Sequence, residues 1–127
     1  MKEKDDQKIL IIEDTKAISK ALSLKLSNES IDVVTVSTGR EAIDTISRDS
    51  FDVILLDLVI PDIDGFSILE TLKLKGSKAQ VIVLSNLSQK EDIEKAKTFG
   101  VKEYFIKADT PISEVVEFTK NCLTNAS

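Results

Sequence analysis

The sequence predicts one α/β domain, a doubly wound (βα)5 unit whose five parallel strands carry helices on both faces. Three observations lead there. Five short apolar runs rich in β-branched residues recur: KILIIE at 8–13, DVVTV at 32–36, DVILLD at 52–57, QVIVLS at 80–85 and EYFIK at 103–107. Their starts lie about twenty to thirty residues apart, and each gap holds a helix-period segment, the pattern of βα units feeding a parallel sheet. The runs at 9–12, 53–56 and 81–84 are apolar throughout, as central strands covered on both faces must be.

Taken in order, residues 1–7, MKEKDDQ, read as a charged N-terminal arm before the first strand. Ile18, Ala21, Leu22 and Leu26 then share one helical face. The run at 32–36 alternates, which suits an edge strand. Thr38 with Glu41 has the spacing of a capping box, and Ala42, Ile43 and Ile46 continue that helix on one face. Asp62-Ile-Asp-Gly65 follows the third run; with Ile60 and Thr71 at ligand positions it fails as a calcium loop and reads as a turn. Ser88 with Glu91 is a second candidate capping box. Thr110-Pro111 reads as an N-cap and a first helical residue, before a face of Ile112, Val115, Val116, Thr119 and Leu123. Gly39, Gly76 and Gly100 fall near helix ends. Cys122 reads as a small buried hydrophobe. No linker, low-complexity tract or internal domain boundary divides the chain, so the expectation is one domain over 1–127.

Composition narrows the chemistry. With 127 residues and 42% hydrophobic content the chain can bury one real core. A formal charge of −5 would repel a nucleic-acid backbone, so direct nucleic-acid binding is not expected. No apolar run approaches the roughly 20 residues of a membrane span. One cysteine and no secretory leader pattern after the charged opening give a cytoplasmic expectation. The absence of histidine removes imidazole catalysis and imidazole metal ligands. Carboxylates, hydroxyls and lysines remain.

In a parallel α/β sheet these groups converge, because every strand delivers its last side chain to the same edge. The first run ends in Glu13-Asp14, the third in Asp57, the fourth in Ser85-Asn86 and the fifth in Lys107. Three clustered carboxylates either raise a pKa or bind a hard cation. A divalent metal is the simpler answer, and Mg²⁺ favours one or two carboxylates, several waters and a phosphate. Three carboxylates against Mg²⁺ and Lys107 sum to zero formal charge.

These features, an acidic pair after the first strand, D-x-x-x-P-x-x-D-G from Asp57 to Gly65, a serine ending the fourth strand and a lysine ending the fifth, resemble the response-regulator receiver domain of bacterial two-component signalling over essentially the whole chain. The resemblance implies a flavodoxin-like sheet of order 2-1-3-4-5. It implies Asp57 as phosphoacceptor and Mg²⁺ held by Glu13, Asp14, Asp57 and the Val59 backbone carbonyl. It implies Ser85 and Lys107 as donors to the phosphoryl oxygens, and Ser85 with Tyr104 as switch residues. Tyr104 would re-form a face made by the fourth helix, fifth strand and fifth helix. The implied partners are a sensor histidine kinase or histidine phosphotransfer protein and a downstream protein target, with the chain a monomer or weak homodimer. Catalysis would be limited to its own phosphorylation and dephosphorylation.

Departures from the family's pattern stand beside this. Ala108 replaces the usual proline after Lys107, which favours a trans peptide and a differently shaped loop. Asn86 stands where a small residue is usual. Val59 and Leu87 stand where polar side chains often position hydrolytic water, so the acyl phosphate is expected to hydrolyse slowly. An aspartyl-phosphate phosphatase would need an acid at Val59, and an FMN carrier would be repelled by Glu13-Asp14. The alternative kept open is a degenerate receiver that binds partners without phosphorylation.

Overall fold

The computed structural model describes residues 6–124. Its strands are β1 (Gln7–Ile12), β2 (Ile31–Val36), β3 (Val53–Leu56), β4 (Gln80–Ser85) and β5 (Glu103–Ile106). The helices are α1 (Lys16–Leu26), α2 (Gly39–Arg48), α3 (Gly65–Lys75), α4 (Lys90–Thr98) and α5 (Ile112–Thr124). All strand pairs are parallel, in the order β2-β1-β3-β4-β5. This is the fold class expected. Gln7, read as the last residue of the charged arm, instead opens β1 by pairing with Ile31; residues 1–5 of that arm lie outside the described residues.

The continuously apolar strands feed two cores because successive side chains point to opposite faces. Leu10, Ile12, Ile54, Leu56 and Val83 pack with Ala42, Ile46, Phe66, Ile68, Leu69 and Ala96 of α2, α3 and α4. Ile9, Ile11, Val53, Leu55, Ile82 and Leu84 pack with Leu22, Leu26, Val115, Val116, Cys122 and Leu123 of α1 and α5. Edge strand β2 exposes Asp32 and Thr35, as its alternation suggested.

Helix starts correct three expectations. Thr38 does cap α2 by accepting from the Glu41 amide, but the Glu41 carboxylate turns to the Ser37 amide rather than back to Thr38's own. Ser88 does not cap: α4 begins at Lys90, with Gln89 at the N-cap and no side-chain bond there. At α5 the Pro111 carbonyl accepts the first helical bonds, from the Glu114 and Val115 amides, which puts proline just before the helix. The Thr110 hydroxyl donates backward to the Ile106 carbonyl instead of capping. Local hydroxyl bonds compete with caps in this way wherever a carbonyl lies closer than the helix amides.

Two glycines are demanded by the backbone. Gly76 closes α3 in the left-handed region, at φ 74°, where a side chain is strained. Gly65 opens α3 with its amide bonded to the Leu58 carbonyl, so tightly that a Cβ there would lie 2.4 Å from the Leu58 Cα and 2.5 Å from its oxygen. That approach folds the segment after β3 back over the sheet edge. Gly65→Ala is therefore expected to destabilise the domain by at least the roughly 1–3 kcal/mol typical of overpacking, read as a lower urea midpoint.

Candidate acidic site at the strand ends

Strand register builds the site. The Asp57 amide donates to the Ile12 carbonyl at 3.0 Å, and the Glu13 amide to the Val36 carbonyl at 3.1 Å, continuing the ladders one residue past β3 and β1. Both side chains consequently emerge at the C-terminal edge of adjacent strands and are buried, Glu13 at 3% and Asp57 at 4% exposure. Asp14 follows and is exposed. One carboxylate oxygen from each of Glu13, Asp14 and Asp57 lies within 4.8 Å of the other two.

Lys107 supplies the cation. It opens a single 3-10 turn, Lys107–Asp109, directly after β5, and sends its ammonium 2.6 Å from Asp57 Oδ2 and 2.9 Å from Glu13 Oε1. Burial disfavours the charge on Lys107, yet its hydrogen bonds to Asp57 and Glu13 outweigh that and hold its pKa above the ordinary value. The remaining carboxylate oxygens are also engaged. The Val59 amide donates to Asp57 Oδ1 at 2.9 Å, and the Thr15 amide donates to Glu13 Oε2 at 3.0 Å.

After Lys107 is counted, three carboxylates leave a formal charge of −2. Oxygen-only donors, a two-charge deficit and one solvent-facing carboxylate fit a small hard dication such as Mg²⁺, which keeps part of its water shell. The donor set suits that ion better than a soft metal, for which thiolate or imidazole would be needed.

The other expected residues are placed as follows. Ser85 ends β4, fully buried opposite Ile106, and its hydroxyl accepts from the Leu87 amide at 3.2 Å. The Tyr104 ring is buried, and its hydroxyl donates to the Leu87 carbonyl. Burial raises the Tyr104 pKa, Asp92 and Asp57 add to the effect, and the Ser85 side chain opposes it. Thus Ser85 and Tyr104 are joined through the two sides of one residue, Leu87. The acid cluster itself comprises Glu13, Asp14, Asp57 and Lys107, with Val59 contributing an amide to Asp57.

Two residues at this edge were missed. Asp62, read only as part of a turn, crosses to α2, where it accepts from the Gly39 amide at 2.7 Å and the Arg40 amide at 3.1 Å. The Gly39 bond, backed by Arg40, lowers the Asp62 pKa. No local pattern reveals a cap supplied from 23 residues away. Asp64 was legible: an aspartate before Gly65 and a helical run is an N-cap signature, and its carboxylate does accept from the Phe66 amide. A groove among Ile46, Asp49, Phe51, Leu72, Lys75 and Gln80 lies at the opposite strand ends, away from the acid cluster.

The receiver architecture and an acid cluster at the strand ends define the class, and sequence comparison agrees. The family model described as the response regulator receiver domain matches residues 9–116, and the chain belongs to that family. The cell cycle response regulator CtrA of Brucella ovis is 38% identical over 100 residues, which is 79% of this chain and 43% of that protein. The chain therefore spans under half the length of the curated relatives it matches. Among solved structures, the receiver domain of a Francisella response regulator superposes with a TM-score of 0.84 at 27% identity, covering 95% of this chain and 99% of the other. The BeF3-activated receiver domain of DrrB, a Thermotoga maritima protein, gives 0.82 at 28% identity, covering 94% and 98%. No helix among the described residues is long and apolar enough to cross a membrane.

The ammonium's role is open to titration. Because the folded pKa of Lys107 is raised above its ordinary value, the folded chain holds this proton more tightly than the unfolded chain. Its contribution is complete below the unfolded pKa and fades as pH climbs through the folded one. Urea unfolding at about pH 9 and about pH 11 should show wild type losing stability, with a smaller loss in Lys107→Met. Equal losses in the two proteins would contradict the pairing.

Proposed function

We propose that the chain is a phosphoacceptor receiver that takes a phosphoryl group on Asp57 and changes its α4-β5-α5 face in response. The supporting observation is the buried Asp57 carboxylate, held by the Val59 amide and the Lys107 ammonium beside two further acids. One Asp57 oxygen attacks phosphorus of a phosphohistidine or a small acyl phosphate. The new O–P bond forms as the donor's P–N or P–O bond breaks, and the leaving group keeps that electron pair. Glu13, Asp14, Asp57 and the Val59 carbonyl would hold Mg²⁺, which when bound neutralises charge on the phosphoryl oxygens. Lys107 can swing one hydrogen bond from Asp57 to a phosphoryl oxygen without leaving Glu13. The amide of Val59 is already aimed at the same carboxylate.

The readout runs through Leu87. A Ser85 hydroxyl drawn to a phosphoryl oxygen releases the Leu87 amide, and the Leu87 carbonyl is where Tyr104 is anchored. Downstream of Leu87, α4 buries only Ala96 fully, whereas α3 buries Phe66, Ile68, Leu69 and Leu72 beside Gly65. A helix with so little buried surface is the one that shifts at least cost. A protein target that binds the shifted face more tightly then senses phosphorylation, by a coupling of about 1–3 kcal/mol. The phosphodonor is a sensor histidine kinase or histidine phosphotransfer protein in a cytoplasmic setting, and the domain exists as a monomer or weak homodimer.

Incubation with Mg²⁺ and acetyl phosphate, followed by intact-protein mass spectrometry, tests the reading. Wild type should gain one phosphoryl group, while Asp57→Asn and an EDTA-treated sample should gain none. An unmodified wild type that also fails to bind beryllofluoride would instead favour a phosphorylation-independent interaction module. Hydrolysis gives a second measurement. Val59 is 55% exposed beside the site, with Leu87 in the same groove, so apolar surface borders the path of an attacking water. Val59→Asn should shorten the acyl-phosphate lifetime, and an unchanged lifetime would count against that assignment.

A further inference from the structure

Asn86 and Ala108 depart separately from the pattern of the family, but the fold joins them. The Ala108 amide donates to Asn86 Oδ1 at 2.8 Å. Ser85 pairs with Ile106 across the β4-β5 ladder, which places Asn86 opposite the turn that begins at Lys107. The Ile106 carbonyl receives the Thr110 hydroxyl at 2.8 Å, so the 3-10 turn is held at its far end as well. Since the Ala108 group is a donor, the Asn86 oxygen must face it, and the side-chain orientation is fixed by chemistry. A proline at 108 would have no N–H to give, leaving the Asn86 oxygen without this partner.

We propose that Asn86 is a positioning residue for Lys107. Its side-chain carbonyl clamps the residue immediately after Lys107 and so sets the reach of the ammonium over Glu13 and Asp57. The clamp also ties the loop carrying Ser85 and Leu87 to the turn carrying Lys107, so the two groups of donors move together. Its consequence for phosphoryl transfer rests on Asp57 being the phosphoacceptor, whereas the clamp itself belongs to the unmodified protein. Asn86 and Ala108 are both exposed, so substitution at Asn86 leaves both cores untouched.

Three variants separate the clamp from mere bulk. Asn86→Ala removes acceptor and volume, Asn86→Leu removes the acceptor while keeping volume, and Asn86→Asp keeps an acceptor oxygen. In metal-free buffer, acylation of Lys107 by a small amine-reactive ester is followed by peptide mass spectrometry, with Ala108 amide exchange measured in parallel. Both rates should rise roughly five-fold in Asn86→Ala and Asn86→Leu, the ratio set by losing one ordinary hydrogen bond, and return toward wild type in Asn86→Asp. The initial rate of phosphorylation by acetyl phosphate with Mg²⁺ should fall in the first two and recover in the third. Unchanged Lys107 acylation and Ala108 exchange in Asn86→Ala would overturn the clamp. So would a faster phosphorylation confined to Asn86→Ala, since that would make volume the controlling property. If the exchange and acylation changes appear while wild type takes no phosphoryl group, the clamp stands and the phosphoacceptor reading falls.

Discussion

A single ammonium shared by two buried carboxylates is the constraint around which this domain is arranged. Glu13 and Asp57 sit at the ends of adjacent central strands with almost no water to solvate them, and Lys107 reaches both from 94 and 50 residues away. Breaking a buried pair by removing one partner costs about 3–5 kcal/mol, because the partner left behind is a desolvated charge. Here one cation serves two anions, so the penalty of losing it falls on both. That makes the fifth strand and the turn after it part of the electrostatic support of the first and third.

The same arrangement is incomplete by design of its charges. One ammonium cannot balance Glu13, Asp57 and the exposed Asp14, and the surplus negative charge points toward solvent at the strand ends. A dication bound there would relieve it. A phosphoryl group would then add oxygens that compete for the Lys107 and Val59 donors now spent on Asp57. Bonds that hold the resting state are thereby the bonds a modification would redirect. The sheet is packed on both faces, whereas α4 rests on Ala96 with Ile93 and the C-cap Phe99 partly buried. Leu87 stands between them, with its amide on Ser85 and its carbonyl on Tyr104.

What the sequence made legible was periodic or positional. The continuous runs at Ile9–Ile12 and Val53–Leu56 could only be central strands, and the parallel-sheet rule then carried Glu13, Asp14, Asp57 and Lys107 to one edge. Ser88 failed as a cap because α4 starts one residue later than the pattern places it, and Thr110 because its hydroxyl finds the Ile106 carbonyl, partners that a local capping pattern does not contain. Asp62 failed for a longer-range reason. Its carboxylate serves the N-terminus of α2, whose first turn contains Gly39 packed so closely that a Cβ would lie 2.7 Å from Ile63. Neither residue advertises the other until the loop after β3 is laid against the second helix.

Asn86 and Ala108 show the same blindness with the opposite sign. Considered one at a time, each departure removes something familiar: a small residue beside the serine, and a proline after the lysine. Joined by a hydrogen bond, they form a substitute tether in which the amide that proline lacks becomes the group that a longer side chain can hold. All peptides among the described residues are trans, the one between Lys107 and Ala108 included. With that backbone, the lysine still arrives within hydrogen-bond distance of both carboxylates. Two departures that each weaken the resemblance in isolation are, in the folded chain, complementary halves of one contact, and the acid-ammonium geometry stands beside it.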